Sequence, residues 1–145
     1  MNFELTEERQ MLQDTLRRFL ADKYDVPTRN AILESESGMS AEIWSQLAEL
    51  GIQGALFDEA QGGFGGAGFD IAVVFEELGR AGIVEPILET CIFGGGLIAA
   101  LGNEAQKGLL ESIIDGNTKI ALAHSEPRSR YDLSRVETQY EDGKI

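Results

Sequence analysis

The chain has 145 residues, about one domain with a single core, and its 43% hydrophobic content is that of a globular protein rather than a disordered one. With 12 Lys and Arg against 25 Asp and Glu, the formal net charge of −13 argues against a nucleic-acid partner and against adhesion to anionic membranes. A single cysteine, Cys91, excludes an internal disulfide, and a single histidine, His124, argues against a metal centre.

Thr6 is placed to cap a first helix, with Glu7 and Glu8 favourable against its dipole. Leu12, Leu16, Phe19 and Leu20 recur at helical spacing and give it one buried face through about Tyr24. Pro27 suits the first turn of a short second helix carrying Ile32 and Leu33, and the polar run Glu34 to Gly38 reads as a surface loop. Ser40 caps a third helix whose inner face is Ile43, Trp44, Leu47 and Leu50. Gly51 stops that helix, and Ile52 can fold back on it in a Schellman-type ending.

An acidic pair, Asp58-Glu59, and the glycine-rich run GGFGGAG follow. The run lacks the lysine of a nucleotide-binding P-loop and no strand precedes it, so it reads as a flexible or close-packed loop. Ile71, Val74, Phe75 and Leu78 mark a fourth helix ending near Gly82. The pair Glu76-Glu77 is expected on its surface, without the apolar environment that acid–base chemistry requires.

Pro86 opens a fifth helix, about Ile87 to Leu101, apolar on nearly all sides. Such a helix belongs in the middle of a bundle or under a partner, and it is too short for a usual membrane span. Gly94, Gly95 and Gly96 imply close approach by another backbone or a ligand. Asn103 and Gln106 resemble a capping box for a sixth helix, with Leu109, Leu110, Ile113 and Ile114 on its inner face and Gly116 at its end. The period then changes. Lys119 to His124 reads as a strand, Ser125 to Arg130 as a turn, Val136 to Tyr140 as a second extended run, and Asp142-Gly143 as a hairpin signal. Strands this few cannot form a stable sheet alone, so the chain reads as cut short at Ile145.

Generic catalytic sets are not expected. Ser125 adjoins His124, and strand neighbours point to opposite faces, which disfavours a Ser-His-Asp triad. The opening MNFELTEERQ has no basic segment followed by an apolar one, so no secretory signal is expected and the cytoplasm is the expected location.

Several segments, in order, resemble the acyl-CoA dehydrogenase family. LAELGIQGALFDEAQGGFGG, from Leu47 to Gly66, is similar to the family's L-x-x-L-G-[IV]-x-G run into an acidic, Gly-Gly loop. EELGRAG, from Glu76 to Gly82, resembles its EE[LI]-x-[RK] helix, and Gly102 to Gly116 resembles its G-x-x-x-Q-K segment. LTEERQMLQDTLRRFL is similar to the family's first helix, and ALAHSEPRSRYDL, from Ala121 to Leu133, is similar to its [ST]-E-P-x-x-G-S-D segment.

The resemblance implies a mainly α chain: an N-terminal bundle of about six helices at residues 1–117, then the first strands of a truncated β-barrel domain at 118–145. It implies FAD as cofactor, with Leu122, His124 and Ser125 along the flavin. It also implies an acyl-CoA substrate, an electron-transfer acceptor, and a homo- or hetero-oligomer (dimer or tetramer). In the resembled reaction a glutamate removes the α-proton of the thioester while hydride leaves the β-carbon for flavin N5. That base lies beyond Ile145, so no catalytic residue is expected in this chain, and the polypeptide is expected to be inactive alone.

The sequence departs from the family at Arg128-Ser129-Arg130-Tyr131, where a small turn is usual, although Asp132 is kept. The bulky residues either reach a phosphate or close the site. Three alternatives stay open: a non-catalytic partner subunit of a heteromeric dehydrogenase, a flavin oxidase of the same fold, and a cofactor-free helical interaction module.

Overall fold

The computed structural model describes residues 4–130 and 132–144. The first helix, α1 (Glu7–Lys23), starts where the Thr6 hydroxyl accepts the Arg9 N–H at 3.4 Å. Asp25 caps α2 (Val26–Glu34), with Pro27 in its first turn, and the Ser40 hydroxyl caps α3 (Ala41–Glu49). The expected Schellman ending of α3 is present. Gly51 adopts φ +78, its N–H bonds the Ala48 carbonyl at 2.8 Å, and the Ile52 N–H bonds the Leu47 carbonyl at 3.0 Å. Ile52 is thereby buried in the core.

The fourth helix, α4 (Gly68–Ala81), lies beside α1 and runs in the same direction. Polar rungs fix the register: Arg9 Nε to Asp70 at 2.6 Å, Arg17 to Glu77 at 2.7 and 3.1 Å, and the Val84 N–H to the Tyr24 hydroxyl at 3.1 Å. Leu16 and Leu20 pack with Val74 and Leu78 in the same core. Glu77 corrects the expectation of a surface pair. Glu76 is exposed, but the Glu77 side chain is only 1% exposed and is held by Arg17 and Arg80. The helical turn that exposes one carboxylate carries its neighbour inward.

The glycine-rich loop is close-packed. The N–H groups of Phe64, Gly65 and Gly66 bond the carbonyls of Gly54, Phe57 and Ala55 at 3.1, 2.9 and 2.9 Å. Cβ atoms at Gly63 or Gly65 would collide with the Phe57 or Ala55 carbonyl oxygen. Asp58 caps the short turn Glu59–Gln61 in a capping box with Gln61.

The fifth expected helix begins as a π-helix, Leu88–Gly95, and continues as α5 (Gly96–Leu101). Two of its three glycines are closely approached, but by side chains rather than by the expected second backbone or ligand. A Cβ at Gly94 would lie 2.6 Å from Ile120 Cγ2 and one at Gly95 would lie 2.6 Å from Phe57 Cζ, whereas Gly96 faces open space. The sixth expected helix occurs as α6 (Glu104–Lys107) and α7 (Leu109–Ile114), separated at Gly108, with the Asn103–Gln106 capping box in place. No helix among the described residues is long and apolar enough to cross a membrane.

The expected strands are not formed among the described residues. Residues 118–126 run without regular structure, and a lone antiparallel bridge pairs Glu141 with Lys144. The start of a β-barrel is therefore not seen in the described residues, since a strand exists only through a ladder to a neighbour. The turn at its expected place does form. Asp142 and Gly143 adopt φ +48 and +78, the positive angles that a two-residue type I′ hairpin turn requires, and Glu141 and Lys144 exchange two 3.0 Å bonds.

Arg17, through its hydrogen bond first and its charge second, holds the Glu77 carboxyl below its ordinary 4.5. This contribution to stability is full above that ordinary value and is lost as pH falls through the lowered one. Urea unfolding over an acidic pH series is expected to show a shallower acid limb for Glu77→Gln than for the wild type. The same measurement is expected to show Gly65→Ala losing about 2–3 kcal/mol through collision with the Ala55 backbone. Gly96→Ala, a helical site with open space, is expected to gain about 0.5–1 kcal/mol.

Candidate functional site

Two neighbouring features carry the chemistry: the outer face of the helix from Leu88 to Leu101, and the irregular run that follows Gly116. The helix is apolar on opposite sides. It buries Thr90, Cys91, Gly94 and Gly95, yet leaves Leu88, Phe93, Leu97 and Leu101 exposed, so apolar side chains lie on both sides. Beside it, Phe75, Leu78, Ile83, Ile87 and Leu88 line a cleft of about 290 Å³ whose acidic groups are Glu85 and Glu89.

Beneath that face the side chains are chemically quiet. Burial pushes the Cys91 thiol up to about 12, so it stays protonated and is no nucleophile. The Thr90 hydroxyl is buried with no hydrogen-bond partner among the described residues. The Glu85 carboxylate is engaged: one oxygen accepts from the Tyr24 hydroxyl at 2.9 Å and the other from the Ser40 N–H at 2.9 Å. Burial is the main cause that pushes the Tyr24 hydroxyl up to about 12, which keeps it a donor.

The run after Gly116 is fastened at its start. The Thr118 N–H bonds the Ser112 carbonyl at 3.0 Å, their hydroxyls meet at 2.7 Å, and Ile120 packs on Gly94. From 119 to 125 the main-chain groups take no partner among the described residues. Leu122 is 38% exposed, and His124 and Ser125 are also exposed. The Ser125 hydroxyl lies 3.3 Å from His124 Nε2. In a strand these neighbours would point to opposite faces; the irregular backbone is what lets them meet. The structure thus places Leu122, His124 and Ser125 on one accessible stretch rather than in an enclosed pocket.

Glu126 was not singled out by sequence, although it stands inside the quoted S-E-P motif. Its carboxylate accepts the Glu137 N–H at 2.7 Å, the Thr138 N–H at 2.9 Å and the Thr138 hydroxyl at 2.7 Å. These bonds, those of Thr138 first, hold it below the ordinary carboxylate range. It clips the two extended runs together across the turn. Within the turn the buried Ser129 hydroxyl donates to the Glu126 carbonyl at 2.9 Å. Arg130 adopts φ +52, and Tyr131, part of the bulky departure noted in the sequence, lies outside the described residues.

The helical scaffold with this open run has known counterparts. Residues 6–117 match the family model described as "Acyl-CoA dehydrogenase, N-terminal domain". The chain belongs to the acyl-CoA dehydrogenase family. Acyl-CoA dehydrogenase IpdE2 of Mycobacterium tuberculosis is 36% identical over 101 residues, which is 69% of this chain and 32% of that protein. Benzylmalonyl-CoA dehydrogenase of Aromatoleum aromaticum is 26% identical over 141 residues, covering 95% of this chain and 37% of that one.

Among solved acyl-CoA dehydrogenases, the Tcur3481-Tcur3483 steroid ACAD superposes with a TM-score of 0.76 at 31% identity, over 83% of this chain and 33% of that chain. Butyryl-CoA dehydrogenase from Megasphaera elsdenii superposes with a TM-score of 0.75 at 28% identity, over 92% and 36%. The chain therefore spans about a third of the length of the relatives it matches.

Thr90→Val is expected to stabilise the chain by about 1 kcal/mol, because it removes a buried hydroxyl without a partner and nearly keeps its shape. Thermal or urea unfolding of the two proteins checks it.

Proposed function

We propose that this chain is the N-terminal helical part of a flavin-dependent acyl-CoA dehydrogenase and forms one wall of its acyl pocket. The observation that carries the reading is the uncovered face of Leu88, Phe93, Leu97 and Leu101 in a chain of this family. An acyl tail laid along such a face is removed from water, which contributes up to about 0.8 kcal/mol per fully buried methylene. The substrate class is a CoA thioester. Residues 118–145 are proposed as the lead-in to a following domain, since the family's N-terminal model ends at 117 while the benzylmalonyl-CoA dehydrogenase alignment covers 95% of the chain.

For FAD the donor set fits at one place. The N–H and C=O groups of 119–125, which take no partner among the described residues, and the Ser125 hydroxyl offer donors and acceptors on an accessible stretch. On this reading Leu122 and His124 flank the ring and Ser125 donates to it. FAD, when bound, supplies a hydride acceptor. This chain's residues would orient the ring and shield it from water on one side. No residue here is proposed as the base, and the 145-residue chain is proposed to be inactive alone.

A second reading, a non-catalytic subunit that pairs with a catalytic one, is favoured by one observation: Arg128 and Arg130 stand where the resembled turn has small residues.

The wall is tested by titrating the chain calorimetrically with acyl-CoA thioesters of increasing length. Affinity is expected to rise with chain length, and Phe93→Asp is expected to abolish that rise. Affinity independent of length would overturn it. In parallel, the chain supplied with FAD, acyl-CoA and an artificial electron acceptor is expected to reduce none of the acceptor; turnover would refute the proposed inactivity.

A further inference from the structure

The chain leaves its helices after Gly116 through closely spaced fastenings. The Trp44 indole N–H donates to the Gly116 carbonyl at 2.7 Å, and the Ser112 carbonyl accepts the N–H groups of Asn117 and Thr118 at 2.9 and 3.0 Å. The exposed Lys119 ammonium lies 5.4 Å from the Trp44 ring centroid, a weak contact at such a site. Ile120 comes last. Among the described residues it is the final hydrophobic side chain packed on the helical core. Residues 121–125 are exposed, and their main-chain groups take no partner among the described residues. On its helical side the open stretch is therefore held through Ile120.

Its Cγ2 and Cβ lie 2.6 and 3.0 Å from where a Cβ on Gly94 would stand, so the methyl occupies the place of the missing side chain. Non-bonded carbons pack at about 3.5 Å or more, and an alanine at 94 would push Ile120 outward by about 1 Å. Gly94 belongs to the same helix as Phe93 and Leu97 of the outer apolar face. That helix is thus the reference against which the run is set. At about 3.4 Å per extended residue, Leu122 and Ser125 lie within roughly 7 and 17 Å of the seat, so a shift there carries along the whole stretch.

We propose that Ile120, seated in the gap at Gly94, is a positioning residue that sets the open stretch 121–125 at a fixed place against the outer apolar face. It acts through the stretch that follows rather than by touching a ligand. A stretch held in place beforehand loses less conformational freedom when a ligand binds to it, which raises affinity. That the stretch faces a flavin and the outer face an acyl tail rests on the acyl-CoA dehydrogenase reading; the joint between them does not.

The joint is tested by electron-spin distance measurement on the whole chain, with nitroxides at Leu101→Cys and Ala123→Cys. Cys91 stays unlabelled, since its thiol is buried and protonated. A narrow distance distribution is expected. Ile120→Ala is expected to broaden it and Gly94→Ala to shift it, because one empties the seat and the other fills it. Ile120→Val keeps a methyl at the Gly94 gap and is expected to keep the distribution. Gly96→Ala, in open space on the same helix, is expected to leave it unchanged as well. Ile120 is only partly buried, so circular dichroism is expected to show the helices intact in Ile120→Ala. A broad distribution in the wild type, no change in Ile120→Ala, or equal changes in Gly94→Ala and Gly96→Ala overturns the proposal.

The consequence for binding is read by titrating the unlabelled proteins with FAD. Ile120→Ala is expected to bind about fivefold more weakly, and Ile120→Val as the wild type does. Unchanged FAD affinity in Ile120→Ala overturns the positioning role, since a merely structural contact would alter the urea midpoint alone. No FAD binding by the wild type counts against the flavin reading instead, and the joint then stands or falls on the distances.

Discussion

The parallel pairing of α1 with α4 is the constraint on which the rest of the fold depends. Its rungs recur at an offset of 60 or 61 residues, from Arg9–Asp70 through Arg17–Glu77 to Tyr24 with Val84 and Glu85. Parallel neighbours cannot be joined by a tight turn, so the chain must travel back the full length of α1 before α4 begins. The segments α2, α3 and the glycine loop make that return. A buried carboxylate without a partner is far costlier than a surface one, so Glu77 admits little slippage between the helices. At the far end Glu85 gathers the Tyr24 hydroxyl and the Ser40 N–H, joining the end of α1, the start of α3 and the turn after α4.

Around this pair the close contacts are made at glycines. The glycine loop lies directly on the carbonyls of residues 54–57, where side chains would hold it away. The π-helix instead takes the side chains of Phe57 and Ile120 against Gly95 and Gly94. The π-helical winding there is a form found often at functional sites. The outer face of that helix is apolar and exposed while the inner face is filled.

Local signals were legible in the sequence where they act within a few residues. Thr6, Ser40, Asn103 with Gln106, Gly51 with Ile52, and Asp142-Gly143 all do what their types and spacings imply, because caps and turns are closed by near neighbours. Long-range facts were not legible. That Glu77 turns inward depends on Arg17, 60 residues away, and no local pattern distinguishes it from Glu76. The alternation after Thr118 resembled a strand, but a strand needs a ladder, and the described residues supply none. Glu126 was hidden for the same reason, since its partners lie 11 and 12 residues on. Of the candidate site, the residues could be named from the motif they sit in, whereas their irregular, open setting could not.

Trp44 has an optical consequence. The chain has one tryptophan; its indole N–H donates to the Gly116 carbonyl at 2.7 Å, and the Lys119 ammonium lies 5.4 Å from the ring centroid. The ring is buried in the helical core, yet both contacts come from the point where the chain leaves that core. The molecule therefore carries its single tryptophan at the junction between its packed helices and the open run that follows. Indole emission responds to local polarity and nearby charge, so under conditions where the helices stay folded its colour and intensity report whether that run is docked.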